Sequence, residues 1–133
     1  MTRINVVPPE ALADQHLLAE YRELPRVFAL ARRDPEAPLQ YTLGAGHVRF
    51  FYGRTGYLSA RQAALIAECL RRGFDITHRS APPPVPGLDA GWTPDPAAVE
   101  VNLVRLRDKL RTARRPYTYF GTPVPDNFYG GAS

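Results

Sequence analysis

Residues 12–28 read LADQHLLAEYRELPRVF, and this stretch decides the fold. Its large apolar residues recur at the spacing of one helix face, namely Leu17, Tyr21, Leu24 and Phe28. The pattern predicts a first helix over about residues 11–32. Because Pro25 cannot donate a backbone hydrogen bond, we expect a kink or a local break at that point.

Two further helices follow from the same kind of pattern. Ser59 and Gln62 form a capping-box pattern and Gly73 gives a left-handed stop, which predicts a second helix between them. Its apolar stripe comprises Leu65, Ile66, Cys69 and Leu70. The third helix is predicted to begin at the N-cap pair Asp95-Pro96 and to run to about Ala113. Its stripe comprises Val99, Leu103, Leu106 and Leu110.

These elements predict an all-α fold, with three main helices and long irregular connections in a single domain over residues 1–133. No alternating pattern of apolar and polar residues predicts a sheet. A proline-rich connector over residues 80–94 joins the second and third helices, and in a domain this small a stiff surface loop is favoured over a polyproline II ligand. An aromatic tail over residues 117–133 follows the third helix.

The composition indicates a globular protein with an anionic partner. The 133 residues carry 17 basic and 13 acidic side chains, a formal net charge of +4, and Lys109 is the only lysine. No apolar run is long enough for a transmembrane helix, and no signal-peptide pattern is visible. We therefore expect no membrane association and a cytoplasmic, nucleoid-associated location. Cys69 lies on an apolar stripe and is expected to be a core residue, and the histidines lack metal-ligand spacing.

A basic face runs along the first helix, apart from its apolar stripe, and comprises Gln15, Arg22, Arg26 and Arg33. Glu23 lies at the edge of this face, next to Arg26. One interpretation is a surface ion pair, which is the commoner case. The other is a working carboxylate whose charge the arginines hold in place.

A second basic surface lies on and after the third helix, at Arg105, Lys109, Arg111, Arg114 and Arg115. Five aromatic residues follow it, namely Tyr117, Tyr119, Phe120, Phe128 and Tyr129. Basic and aromatic residues together are typical of surfaces that clamp phosphates and stack on unpaired bases. The alternative is that the rings fold back onto a thin core.

Thr2 is a small second residue, which favours removal of Met1. An α-amine has a pKa of about 7.7–8.0, against about 10.4 for a lysine side chain. Roughly a third of such amines are therefore neutral at about pH 7.5, which makes the amine a ready nucleophile. The alternative is an ordinary chain terminus.

Several segments closely resemble the phage-type pyrimidine-dimer DNA glycosylases, also called dimer-specific endonuclease V. They are residues 1–5 (MTRIN), 12–17 (LADQHL), 19–28 (AEYRELPRVF), 43–48 (LGAGHV), 50–52 (FFY), 61–62 (RQ), 65–70 (LIAECL) and 72–74 (RGF). A weaker match falls at Arg105, Leu106 and Lys109. The resemblance covers about two-thirds of the chain and is most specific over the first 28 residues.

The resemblance implies an enzyme that excises cyclobutane pyrimidine dimers from UV-damaged duplex DNA and then nicks the strand by β-elimination. The Thr2 amine would form an imine with the sugar, and Glu23 would be the catalytic carboxylate. Positions around the lesion and its backbone match Arg3, Gln15, His16, Arg22, Arg26, Arg105 and Lys109. The resemblance implies no metal and no cofactor. It also implies a monomer that binds DNA containing dimers or abasic sites, with an N-terminal segment reaching into the helix cluster.

The family's C-terminal aromatic-basic box is present here as Tyr117-Thr118-Tyr119-Phe120-Gly121. It lacks the tryptophan, and Thr118 stands where lysine is expected. Tyr117 and Tyr119 are the DNA contacts predicted from it. Two other functions fit part of the pattern: a non-catalytic, basic helical DNA-binding module, and a hydrolase that uses the Thr2 hydroxyl with its own amine as base.

Overall fold

The computed structural model describes residues 3–130. Within that range the chain is mainly helical. The helices are α1 (Asp14–Glu23), α2 (Arg26–Arg33), α3 (Thr55–Arg71) and α4 (Pro96–Arg111). Two short 3₁₀ segments lie at Pro9–Ala11 and Arg49–Gly53. An antiparallel ribbon pairs β1 (Thr118–Tyr119) with β2 (Thr122–Pro123).

The first predicted helix is two helices, α1 and α2. The break falls at Leu24 and Pro25, as expected, because proline has no N–H to continue the ladder. The predicted start at residue 11 is wrong, since residues 9–11 form a separate 3₁₀ turn before α1 begins at Asp14. The apolar stripe is confirmed as buried, with Leu17, Tyr21, Leu24 and Phe28 at most 7% exposed.

Helix α3 begins at Thr55, earlier than predicted. Ser59 therefore lies inside the helix, and its hydroxyl donates to the Pro82 carbonyl oxygen at 2.7 Å instead of capping the helix. The predicted stop is confirmed: Gly73 has a φ of +82° and the Phe74 N–H donates to the Cys69 carbonyl at 3.0 Å. Leu70, which was expected in the apolar stripe, is 41% exposed.

The proline-rich connector is a loop that lies against the start of α3. Thr55 donates its hydroxyl to the Leu88 carbonyl at 2.6 Å, and Val85 is buried. Glycine is required at position 56, because a Cβ there would lie 2.2 Å from the Asp89 carbonyl oxygen. The connector is therefore fixed by packing as well as by its prolines.

Helix α4 begins as predicted, with the Asp95 carboxylate accepting from the Ala98 N–H at 2.8 Å. It ends at Arg111, slightly before the predicted end at Ala113. Leu106 is buried, whereas the other members of its stripe (Val99, Leu103 and Leu110) are partly buried and pack at the edge of the core. Cys69 is fully buried in that core, as expected of a packing residue, and burial raises the pKa of its thiol to about 11.

The buried residues form one hydrophobic cluster, and the N-terminal segment contributes to it through Ile4, Val6 and Val7. The ribbon corrects the all-α prediction. Its two-residue turn, Phe120-Gly121, has a positive φ at both positions (51° and 80°), the geometry that matches the twist of paired strands. None of the helices within residues 3–130 is long and apolar enough to cross a membrane.

Candidate active site and nucleic-acid interface

A buried ion pair between Glu20 of α1 and Arg61 of α3 holds the N-terminal segment. We call this pair the clamp. The Asn5 backbone and side-chain amides donate to Glu20 Oε1 at 3.1 and 2.9 Å. Arg61 donates to both Glu20 oxygens at 2.8 and 2.9 Å, and its Nη1 donates to the Val7 carbonyl at 2.5 Å. The Glu20 side chain is 0% exposed. Residues 5–7 are therefore fixed by charge-assisted hydrogen bonds inside the protein.

His47 holds the residue that precedes this clamp. The Ile4 N–H donates to His47 Nε2 at 3.0 Å, and His47 Nδ1 lies 2.9 Å from the Thr42 carbonyl oxygen. Because a backbone N–H can only donate and a carbonyl can only accept, the geometry assigns the ring proton to Nδ1. Burial, together with the charges of Arg3 and Arg105, lowers the pKa of His47 to about 4. The imidazole is therefore neutral at physiological pH.

The backbone turns sharply at Val6, which has a φ of +70°. The Val7 N–H donates to the Asn5 carbonyl at 2.7 Å, so residues 5–7 form a γ-turn. A β-branched residue in this conformation costs about 1–3 kcal/mol and persists only where its surroundings enforce it. Here the Glu20 and Arg61 contacts do so.

Two arginines predicted to contact DNA lie beside this segment, whereas Thr2 lies outside the described residues. Arg3 lines a cavity of about 560 Å³ together with residues 44–49. Arg105 donates through Nη2 to Asn5 Oδ1, and its buried Nε has no partner among the described residues. Burial and the charge of Arg3 lower the pKa of Arg105. Positive charge therefore accumulates next to the N-terminal segment.

Glu23, the predicted catalytic carboxylate, lies at the end of α1. Its side chain is 27% exposed, and Arg26 Nη1 approaches its Oε1 only to 3.8 Å. No residue within 3–130 donates a hydrogen bond to this carboxylate. Arg26 itself is 69% exposed. The carboxylate is therefore accessible and weakly partnered.

Gln15 and His16 make their contacts with the C-terminal tail. The Gln15 amide bonds Thr118 twice, donating to its hydroxyl and accepting from its N–H, both at 3.0 Å. The Tyr129 hydroxyl accepts from the Ala13 N–H at 2.8 Å and can therefore donate its own proton to His16 Nδ1, 2.6 Å away. His16 Nε2 is buried without a partner among the described residues.

Burial, together with nearby positive charge, keeps His16 neutral. Burial, followed by the charges of Arg105 and Lys109, lowers the pKa of His16 to about 4. His16 also packs against Tyr117, with ring centroids 4.5 Å apart. The structure thus brings four of the predicted contact residues into one neighbourhood, namely His16, Arg105, Lys109 and Tyr117.

Arg22 lies in a different place from this cluster. It is exposed and lines a groove of about 490 Å³ with Pro25 and residues 75–78. The Tyr119 hydroxyl donates to the Glu10 carbonyl at 2.7 Å, and the Arg72 guanidinium lies 4.3 Å from the centre of its ring. Arg22 and Tyr119 therefore contact different parts of the molecule.

Asp14 anchors the ribbon to the start of α1. Its carboxylate accepts from the Arg72 guanidinium at 2.9 Å and from the Thr118 hydroxyl at 2.7 Å. It also accepts from the N–H groups of Phe120 and Gly121 at 3.1 and 2.9 Å. Burial alone would raise the pKa of Asp14, but these hydrogen bonds outweigh it and the pKa lies below its usual value. Thr118, a residue of the aromatic box, therefore joins the ribbon to the start of α1 through its bond to Asp14.

The rings of the aromatic tail differ in exposure, and base stacking by any of them stays a prediction. Tyr129 is 5% exposed and packs on the core, whereas Phe120 is 46% exposed at the tip of the ribbon. No group of His, Cys, Asp and Glu side chains within residues 3–130 is arranged to hold a metal ion.

The model of the family described as pyrimidine dimer DNA glycosylase matches residues 1–81, more than half of the chain. The chain belongs to the pyrimidine dimer DNA glycosylase family. Membership implies DNA glycosylase activity on UV-damaged DNA. The matched range contains Thr2 and Glu23, and also the Glu20–Arg61 pair and His47. It ends before α4 and the ribbon, and the catalytic and DNA-contact residues, inside and outside the range, stay predictions.

The residues that hold the N-terminal segment of this glycosylase were not predicted from the sequence; they are Asn5, Glu20, His47 and Arg61. A signal for the ion pair was present. Glu20 lies between Leu17 and Leu24 on the apolar face of α1, and Arg61 lies between Leu58 and Leu65 on that of α3. Opposite charges at core positions of two helices indicate a buried pair. His47 had no comparable signal, because its glycine-rich segment indicated only a close approach.

Proposed function

We propose that this chain excises cyclobutane pyrimidine dimers from UV-damaged duplex DNA through attack of the Thr2 amine on the sugar C1′. The nitrogen–C1′ bond forms as the glycosidic bond breaks, and the departing base takes that electron pair. Loss of the amine proton and opening of the sugar give an imine. Removal of a C2′ proton then drives β-elimination, in which the C3′–O bond breaks and the phosphate leaves with its electron pair.

The weak partnering of Glu23 is the observation that carries this proposal. A carboxylate that is 27% exposed and 3.8 Å from one arginine retains free lone pairs. Such a group can stabilise cationic character at the sugar and accept or return protons during ring opening and elimination. A carboxylate already saturated with hydrogen bonds, such as Glu20, has no capacity left for either role.

Duplex DNA is the proposed partner, bound through exposed arginines. Arg22 and Arg26 project from α1 and α2 on either side of Glu23 in the sequence, and both are exposed. Arginine forms paired hydrogen bonds with phosphate oxygens, and such contacts weaken steeply as salt rises. We further propose that abasic sites are cleaved, that the protein acts as a monomer and that it works in the cytoplasm at the nucleoid.

Borohydride trapping tests the imine. The intact mass of the purified protein first establishes that Thr2 is its terminus. Incubation with UV-irradiated duplex and borohydride is then expected to give a covalent protein–DNA complex, whereas unirradiated duplex gives none. A protein with a free Thr2 amine that binds irradiated duplex but never yields this complex or a nick would be a DNA-binding module without turnover.

Two substitutions assign the roles of the catalytic pair. Glu23→Gln is expected to lower glycosylase activity by about 10²–10⁴-fold with little change in binding to irradiated DNA. Glu36→Gln, at another exposed glutamate, is the matched control. Thr2→Gly retains the amine and loses the hydroxyl, so an imine mechanism tolerates it. Loss of activity in Thr2→Gly together with activity in Thr2→Ser would instead assign the chemistry to the hydroxyl.

A further inference from the structure

We propose that His47 is a positioning residue for the reaction: its Nε2 accepts the Ile4 N–H and thereby sets where the terminal amine can act. This inference rests on the proposed role of the Thr2 amine. Thr2 and Ile4 are separated by one residue, so the chain spans at most about 7 Å between their Cα atoms. Any shift of Ile4 is therefore passed to the amine over a short tether.

The anchor at Ile4 is specific. Ile4 is 0% and His47 is 1% exposed, so water does not compete for the N–H. A buried N–H that loses its only acceptor costs about 1–3 kcal/mol, which makes this contact decisive for the backbone there. The Thr42 carbonyl fixes the proton on Nδ1 and leaves Nε2 free to accept.

The ring that provides this acceptor is itself held in place. Tyr41 and Phe51 each pack against the His47 imidazole nearly edge-on, with ring centroids 5.6 Å apart. His47 belongs to the segment between α2 and α3, and not to either helix of the ion-pair clamp. It can therefore be altered without breaking the Glu20–Arg61 pair.

The clamp and His47 divide the work. Glu20 and Arg61 bind Asn5 and Val7 and enforce the strained turn between them, which folds the segment into the core. His47 acts one residue closer to the terminus, beyond the turn. A misplacement of about 1 Å in a reacting group can lower a rate about a hundredfold. Loss of the His47 acceptor should therefore slow the covalent step more than it weakens DNA binding, because Arg3 alone among the predicted DNA contacts lies next to Ile4 in the sequence.

Two variants at position 47 separate the acceptor from the ring. A glutamine amide reaches the place of Nε2, so His47→Gln can still accept from the Ile4 N–H. An asparagine amide reaches only the place of Nδ1, so His47→Asn can donate to the Thr42 carbonyl but cannot serve Ile4. We expect His47→Asn to trap DNA about tenfold to hundredfold more slowly under single-turnover conditions, with a smaller change in the Kd for irradiated duplex. His47→Gln should recover most of the rate.

Amide hydrogen exchange at Ile4 provides a readout that does not depend on activity. In the absence of DNA, the Ile4 amide should be protected from exchange in the unaltered protein and in His47→Gln. In His47→Asn it should lose this protection. If the unaltered chain never traps DNA, the proposed function fails. If it traps DNA and His47→Asn traps it equally fast, only the positioning role of His47 fails. If His47→Asn does not fold, two other results would overturn the positioning role. One is an unprotected Ile4 amide in the unaltered chain. The other is a His47→Gln variant that keeps this protection and still traps DNA slowly.

Discussion

The inner and outer faces of α1 each carry a glutamate, and the two differ in burial and in hydrogen bonding. Glu20, on the inner face, is 0% exposed and accepts four hydrogen bonds from Asn5 and Arg61. Glu23, less than one turn later, is 27% exposed and has one arginine at 3.8 Å. The surroundings therefore decide what each carboxylate does, because a saturated carboxylate holds structure and an unsaturated one is available for chemistry.

The largest effect on stability is expected at the inner face. Glu20→Gln leaves the Arg61 charge buried without its partner, which should lower the free energy of unfolding by about 3–5 kcal/mol. Glu23→Gln, on the outer face, should change it by less than about 0.5 kcal/mol. Urea denaturation of both variants measures the difference. Equal losses in the two would contradict the contrast between the faces.

The next largest effect is expected from acid, which should destabilise the protein by protonating His16 and His47. His16 and His47 have a folded pKa of about 4, against 6.5 for the ordinary side chain. Between these values the unfolded chain binds more protons, so stability falls as the pH drops from about 6.5 to about 4. The slope is at most about 1.4 kcal/mol per pH unit for each histidine.

A second acid transition should follow. For Asp14 and Glu68 burial alone would raise the pKa, but hydrogen bonds depress it. Asp14 accepts from Arg72 and the ribbon, whereas Glu68 accepts from Arg71 and Arg72. Their stabilisation is present above the ordinary carboxylate pKa and is lost as the pH falls through the lowered one. Urea midpoints at several pH values test both transitions, and His47→Gln should reduce the histidine slope. A flat profile between about pH 7 and 5 would contradict the neutral, buried state of the histidines.

A smaller effect is expected where the ribbon meets α1. Thr118→Val removes the hydroxyl that donates to Asp14 and accepts from Gln15, and should cost about 1 kcal/mol. Thr112→Val is the matched control, because that hydroxyl is exposed and bonds only the Asp108 carbonyl of its own helix. Thermal unfolding of the two variants gives the comparison. Identical midpoints would show that the Thr118 hydroxyl does not stabilise the contact between the ribbon and α1.

The smallest effect on the fold belongs to the outer face. Arg26→Ala should leave stability unchanged within about 0.5 kcal/mol, because an exposed ion pair at 3.8 Å contributes little. If Arg26 contacts a phosphate, Arg26→Ala should make the slope of log K for DNA binding against log salt less negative by about 0.9. Arg79→Ala, at an exposed arginine outside the predicted contacts, is the control. An unchanged slope in Arg26→Ala would exclude the contact.

The features predictable from the sequence are those decided within one or two turns of chain. The stripe of α1, the break at Pro25, the Asp95 cap and the Gly73 stop each depend on neighbouring residues. Ser59 misled because a distant carbonyl, that of Pro82, uses its hydroxyl. The ribbon was missed because two-residue strands have no period to detect.

The candidate site divides in the same way. Glu23 and its arginines were identified as candidates because they share one short stretch, and their roles stay predictions. The residues that hold the N-terminal segment depend on partners far along the chain: Arg61 is 41 residues from Glu20, and His47 is 43 residues from Ile4. Pairing over such separations is decided by packing, which a local pattern does not contain.

The hydrogen bond from the Ala13 N–H to the Tyr129 hydroxyl joins residues 116 positions apart. Its consequence concerns the order in which the protein is made. The start of α1 must wait for more than a hundred further residues to be synthesised before it receives this partner, and a fold rich in such distant contacts forms slowly. The site built around α1 therefore depends on residues that lie far outside it in the sequence.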